Sequence, residues 1–261
     1  MAWFDDTYYF EQAQLRIAHI TDCHLFSDKQ GEYFGVNTAE HFTRALTDIA
    51  KQQPDALIFG GDLTQDHSFN SYLLFAELIH NSDLDCPVFW VPGNHDEIDQ
   101  LNLISGGQIQ RAKHIVAQGF ELILINSKGN TPAGWVTPSH LEEIMACLVD
   151  SDNRHIVFCH HNPLPINGYL DKHILENGPQ LLNLLVNNGR VDALFHGHVH
   201  NDYQQQFREL DIYATPASSV QFTKHSATWQ QEDKGAAYRM LHLNAEQQKV
   251  HIRTDVVWLN E

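Results

Sequence analysis

Five short apolar runs, LRIAHIT from Leu15, ALIF from Ala56, VFWV from Val88, HIVFC from His155 and DALF from Asp192, each give way within a few residues to Asp, Asn or His. Runs this short, bounded by Gly, Pro or polar residues, read as buried strands. Glu121 to Asn126 adds another. Between the strands lie stretches with helical spacing: Asn37 to Gln53, opened by Asn37 with Glu40 three residues on, then Ser68 to His80, Thr137 to Val149 and Pro179 to Asn188. Beyond Tyr203 the pattern becomes hairpins, YQQQF with DIYAT and AAYRMLHL with KVHIRTDVVW. Strand alternating with helix restricts the chain to an α/β fold, and the added hairpins predict two sheets sandwiched between helices in one domain over residues 1–261.

In such a fold the loops at the carboxyl ends of neighbouring strands converge on one crevice. The candidate chemistry sits at those exits: Asp22 and His24, Asp62 in GGDLTQD, Asn94 and His95 in GNHD, His160 in HHNPLP, and His198 and His200 in HGHVH. Carboxylates, imidazoles and an amide oxygen, with no thiolate cluster, suit a pair of divalent first-row metals bridged by one carboxylate. In extended chain, residues two apart share a face, so Asp22 with His24, and His198 with His200, can each aim at one locality. Simpler readings stand beside this one. Asp62 after two glycines is an ordinary turn residue, and Gly93-Asn94 suits a turn needing positive φ. Asp171-x-His173 repeats the spacing of the first pair without a strand to aim it. His196 fits a buried histidine bonded to backbone, and spacing alone does not choose between His160 and His161.

The net charge of -17, from 33 acidic and 16 scattered basic residues, opposes binding to a nucleic-acid polymer. A small anionic substrate requires a local positive centre, which bound divalent ions supply. No run approaches the roughly 18 apolar residues of a membrane span. The opening MAWFDDTYYFEQAQ lacks the basic and apolar regions of a signal peptide. Cys23, Cys86, Cys147 and Cys159 form no CxxC pair, consistent with reduced thiols. A cytoplasmic protein without a membrane or nucleic-acid partner is expected, with the oligomeric state left open.

The ordered set D-x-H, GD, GNHD, a His before an N-P step and GHxH resembles the signature of the calcineurin-like metallophosphoesterases, from Ile17 to His200. That resemblance implies a four-layer α-β-β-α sandwich of two mixed sheets flanked by helices. It implies two divalent ions, iron or manganese, with Asp22, His24, Asp62 and His200 on one, Asp62, Asn94, His160 and His198 on the other, and Asp62 as bridge. It places His24, Asp62, Asn94, His95 and His200 at the substrate. His95 then protonates the leaving oxygen or stabilises the phosphoryl oxygens, Asp96 orients His95, and a hydroxide bridging the metals attacks phosphorus in line. The strings ITDCHLF, FGVNT, HHNPLP and ATPASSVQF are similar to those of bacterial class III 3',5'-cyclic AMP phosphodiesterases, implying hydrolysis of cyclic AMP to 5'-AMP. A phosphodiesterase or pyrophosphatase of another small diester, a glycerophosphodiester or a nucleotide sugar, would use the same metals, and a non-catalytic scaffold would have lost ligands that are present here.

Overall fold

The structure is a computed structural model that describes residues 2–246 and 249–259. In chain order its strands are β1 (Thr7–Tyr9), β2 (Gln14–Ile20), β3 (Glu32–Tyr33), β4 (Val36–Asn37), β5 (Ala56–Phe59), β6 (Val88–Trp90), β7 (His114–Ala117), β8 (Phe120–Leu124), β9 (Arg154–Phe158), β10 (Val191–His196), β11 (Tyr203–Phe207), β12 (Leu210–Ala214), β13 (Gln221–Phe222), β14 (Gln231–Glu232), β15 (Ala236–Glu246) and β16 (Lys249–Leu259). The helices are α1 (Thr38–Gln52), α2 (Phe69–His80), α3 (Ile98–Ile104), α4 (Pro138–Val149) and α5 (Gly178–Asn188). No helix among the described residues is long and apolar enough to cross a membrane.

Two mixed sheets carry the architecture. One runs β16-β15-β2-β5-β6, with β2, β5 and β6 parallel. The other runs β1-β7-β8-β9-β10-β12-β11, with β8, β9, β10 and β12 parallel. Each expected hairpin joins one sheet: β11–β12 extends the second, and β15–β16 pairs antiparallel with β2 in the first.

Strand alternation divides the apolar side chains between layers. Leu15 and Ile17 of β2, Ile58 of β5 and Phe89 of β6 face inward and pack with Leu122, Ile156, Phe158 and Phe195 of the other sheet. The intervening residues Ala18, Ile20, Leu57, Phe59 and Trp90 point outward, where Phe42, Leu46, Ile49, Phe75 and Ile79 of α1 and α2 cover them. On the far side Ile123, Val157 and Leu194 pack beneath Leu141, Ile144, Leu182 and Leu185 of α4 and α5. Three apolar layers between four structural layers give the α-β-β-α sandwich.

The helix starts follow local hydrogen bonding. Asn37 accepts the Glu40 amide at 2.9 Å to open α1, and Ser68 and Thr137 cap α2 and α4 in the same way. Seven of these elements escape the sequence reading: β3, β4, β13 and β14 are two-residue strands of short hairpins, and three others leave no clear pattern. β1 and β7 mix polar and apolar residues without a sustained alternation, and α3 spans seven residues without a side-chain cap.

Candidate metal centre

The parallel strands of the first sheet deliver Asp22, Asp62 and Asn94 at their carboxyl ends, and β9 and β10 of the second deliver His160, His198 and His200. All but Asn94, which is half-buried, are buried. His24 Nε2 lies 3.0 Å from His200 Nε2 and 3.8 Å from Asp62 Oδ2. His200 Nε2 is 3.3 Å from Asp22 Oδ1, and His160 Nε2 is 3.4 Å from Asp62 Oδ2 and 4.0 Å from Asp22 Oδ1. Potential ligand atoms therefore cluster in overlapping groups, Asp22 with His24 and His200, and Asp22 with Asp62 and His160, within 4.8 Å of one another in each.

The remaining polar atoms of these side chains are fixed by neighbours. Asp22 Oδ2 accepts from Thr21 Oγ1 at 2.7 Å and from the His198 amide at 3.0 Å, leaving Oδ1 to the site. Asp62 Oδ1 accepts the His95 amide at 2.8 Å, leaving Oδ2. His160 Nδ1 donates to the Gly60 carbonyl and His200 Nδ1 to the Val220 carbonyl, each at 2.7 Å, turning Nε2 inward. Metal-binding imidazoles are oriented by such bonds on the distal nitrogen. Asp22 Oδ1, Asn94 Oδ1, His160 Nε2 and His198 Nε2 have no hydrogen-bond partner among the described residues. Buried oxygen and imidazole nitrogen atoms left without partners on these four loops fit a cation.

The local electrostatics agree. Burial pushes both carboxyls upward, yet His200 and His160 beside Asp22, and His160, His95 and His24 beside Asp62, hold each below the usual carboxylate range. Burial brings His24 down to about 3 and His198 well below its ordinary value, so both are neutral and can lend a lone pair. Against burial, Asp62 and Asp22 raise His160 to about 9. The carboxylates thus draw positive charge to this spot, and a divalent ion answers the same field as that proton.

Backbone geometry corrects the expected aiming mechanism. Asp22, His24, Asp62, His198 and His200 have φ of 54°, 45°, 55°, 65° and 52°. Neither ligand pair is extended; each reaches the site through left-handed turns, a conformation uncommon outside glycine and concentrated where function demands it. Gly93 and Asn94 are absent from the positive-φ set, so a left-handed turn does not account for them. A Cβ on Gly93 would lie 2.1 Å from Asp62 Oδ1, and one on Gly197 2.1 Å from Thr21 Oγ1. Those glycines permit close approach of loops.

Asp96 also departs from expectation. Its Oδ2 accepts the amides of Asp62 and Gly93, and its Oδ1 that of Leu63, each at 2.8 Å. It joins two loops rather than orienting the His95 ring. That ring instead stacks on His67, with centroids 5.2 Å apart and planes 4° from parallel, and stands edge-on to His24 at 4.9 Å. One of its nitrogens lies within 4.8 Å of ligand atoms of His24 and Asp62. His161 bonds Ser127 Oγ at 2.9 Å and the Pro132 carbonyl at 3.3 Å, which leaves His160 as the member of that pair facing the carboxylates. His196 donates to the Gly197 carbonyl at 2.9 Å. Asp171 accepts the amides of Ile166 and Gly168 at 2.8 and 3.1 Å, so that carboxylate closes a turn away from the centre.

A family model for calcineurin-like phosphoesterases matches residues 15–202. The chain belongs to that family. Among relatives of the phosphoesterase, a Pseudoalteromonas sp. (strain SM9913) protein named "Probable cyclic nucleotide phosphodiesterase" is 99% identical over 261 residues, covering 100% of both chains. A protein of Escherichia coli (strain K12) named 3',5'-cyclic adenosine monophosphate phosphodiesterase CpdA is 32% identical over 242 residues, 90% of this chain and 87% of the relative. The fold is shared with a dimetal phosphatase from Danio rerio (TM-score 0.61, 15% identity, 87% and 94% covered) and with GAP50, the anchor in the inner membrane complex of Plasmodium (TM-score 0.63, 14% identity, 95% and 89% covered).

Three neighbours of this phosphoesterase site carry no signature string. His67 stacks on His95, Ser127 Oγ accepts the amides of His160 and His161 at 3.2 Å, and Lys128 Nζ donates to the Asn94 carbonyl at 3.2 Å. Ser127 and Lys128 follow β8, so the strand-exit rule that singled out the candidate ligands extends to them.

Proposed function

We propose that this phosphoesterase hydrolyses 3',5'-cyclic AMP to 5'-AMP with two divalent ions, iron or manganese, held by Asp22, His24, Asp62 and His200 and by Asp62, Asn94, His160 and His198. The observation that carries the metal assignment is the set of orphaned ligand atoms of Asp22, Asn94, His160 and His198 beside the paired His24 and His200. The substrate assignment is supported by the names of the Pseudoalteromonas and E. coli relatives. Bound ions supply Lewis acidity at the phosphoryl group and a nucleophile near neutral pH.

The protein's own groups do the rest. Asp62 Oδ2, 3.8 Å from His24 Nε2 and 3.4 Å from His160 Nε2, would serve both ligand sets. The bonds that His160 and His200 donate to the Gly60 and Val220 carbonyls keep the two rings from rotating. His95, half-buried and beside His24 and Asp62, is the group we assign to give a proton to the departing ribose 3'-oxygen.

The test joins metal content to two esters. His95→Ala should retain both ions and lose roughly 10² to 10⁴ in turnover of cyclic AMP. On a nitrophenyl phosphodiester, whose leaving group departs without a proton, the loss should be much smaller. Equal losses on both esters would remove the acid role, and wild type that cleaves the aryl ester but not cyclic AMP would sink the substrate assignment.

A further inference from the structure

Two short hairpins, β3–β4 and β13–β14, meet beside the metal centre. Their aromatic rings form a closed circuit that begins and ends on two proposed ligands. His24 stacks on Tyr33 at 4.9 Å, Tyr33 meets Phe34 at 4.4 Å, and Phe34 meets Trp229 at 5.7 Å. Trp229 meets Phe222 at 4.5 Å, Phe222 stacks on His200 at 4.2 Å, and His200 returns to His24 at 4.9 Å. The inner members, Tyr33 and Phe222, are engaged by the ligand histidines. The outer members are open: Phe34 is 46% exposed and Trp229 38%.

Phe34 is held at a φ of 52°. A bulky side chain in the left-handed region is an outlier that the surrounding structure must impose. Here it brings an exposed ring against the exposed tryptophan of a hairpin from a distant part of the chain. An isolated exposed aromatic needs no explanation, but Phe34 and Trp229, tilted 46° to one another, leave exposed ring surface next to a phosphate-handling centre that a planar ring system can contact.

We propose that Phe34 and Trp229 are the platform on which the base of the cyclic nucleotide stacks, one sugar away from the phosphate at the metal centre. The proposal rests on the phosphodiesterase reading above and adds residues that recognise the part of the substrate the metals do not touch. Stacking on aromatic rings tolerates any base, because every base presents a π-face, so the platform selects for a nucleotide over other small diesters rather than for one base.

Kinetics with cyclic AMP and inhibition by inorganic phosphate separate the outcomes. Phosphate reaches the metals and has no base. Phe34→Ala and Trp229→Ala should each raise KM for cyclic AMP roughly tenfold, more than any fall in kcat, by the size of base stacking on an aromatic side chain. The inhibition constant of phosphate and the metal content should hold, and Trp229→Phe should recover most of the affinity. An unchanged KM would overturn the platform, and so would a parallel weakening of phosphate, which would mark the rings as supports of the metal centre. If wild type itself turns over no cyclic nucleotide while cleaving other diesters, the cyclic-nucleotide reading falls first, and the platform with it, independently of the variants.

Discussion

Three backbone amides from two loops converge on the Asp96 carboxylate, and the loops they belong to carry Asp62 and Asn94. Burial and the charge of Asp62 push Asp96 up to about 6, against the amides that favour its ionised form. Asp96→Asn would present an amide group to at least one of those N–H donors. An unsatisfied buried donor costs about 1–3 kcal/mol, so the variant should melt earlier and bind less metal, the two losses moving together. Full metal content with lost turnover would instead return Asp96 to the role of orienting His95. The cluster of Asp, His and Asn was legible in the sequence because few other chemistries combine those residue types at strand exits. The directions of these side chains were not. Five candidate positions hold a left-handed φ, and two of the three amides on Asp96 come from a loop more than thirty positions away; local spacing carries no record of either.

At the level of elements, strands buried on both faces announced themselves as apolar runs, and helices with polar caps announced their first turns. β7 did not, because its residues serve an ion pair as well as the core. His114 on β7 meets Glu121 on β8 at 2.7 Å. Against burial, contacts with Cys147 and Glu121 raise His114 to about 9, while bonds from His114, Ser151 and Asn153 bring Glu121 down to about 2 despite burial. The raised histidine stabilises the fold fully below its unfolded value near 6.5, and that contribution is lost as pH rises through about 9. The depressed glutamate contributes above about 4.5 and loses it as pH falls toward 2. Glu121→Gln should therefore be less stable than wild type by a margin that is widest near pH 5 to 6 and smaller at pH 10, measured as denaturant midpoints at both ends. A margin that does not shrink at pH 10 would show that the pair contributes nothing and that Ser151 and Asn153 account for the effect.

Across the whole molecule, the proposed ligands divide between the sheets, so the candidate centre is assembled only where the two sheets dock. The amide of His198 meets Asp22 across 176 positions of sequence, and the contact between His24 and His200 spans the same separation. That arrangement has a consequence in time. Contacts so distant in sequence are among the last that a folding chain can secure, because the loop between them must first be closed. Metal ions should then find no complete site until folding is nearly over. Adding manganese to the refolding protein should leave the folding rate unchanged and slow unfolding in step with the stability gained, since it strengthens only interactions missing from the transition state. Faster folding with metal would mean that part of the centre forms early, before the sheets have met.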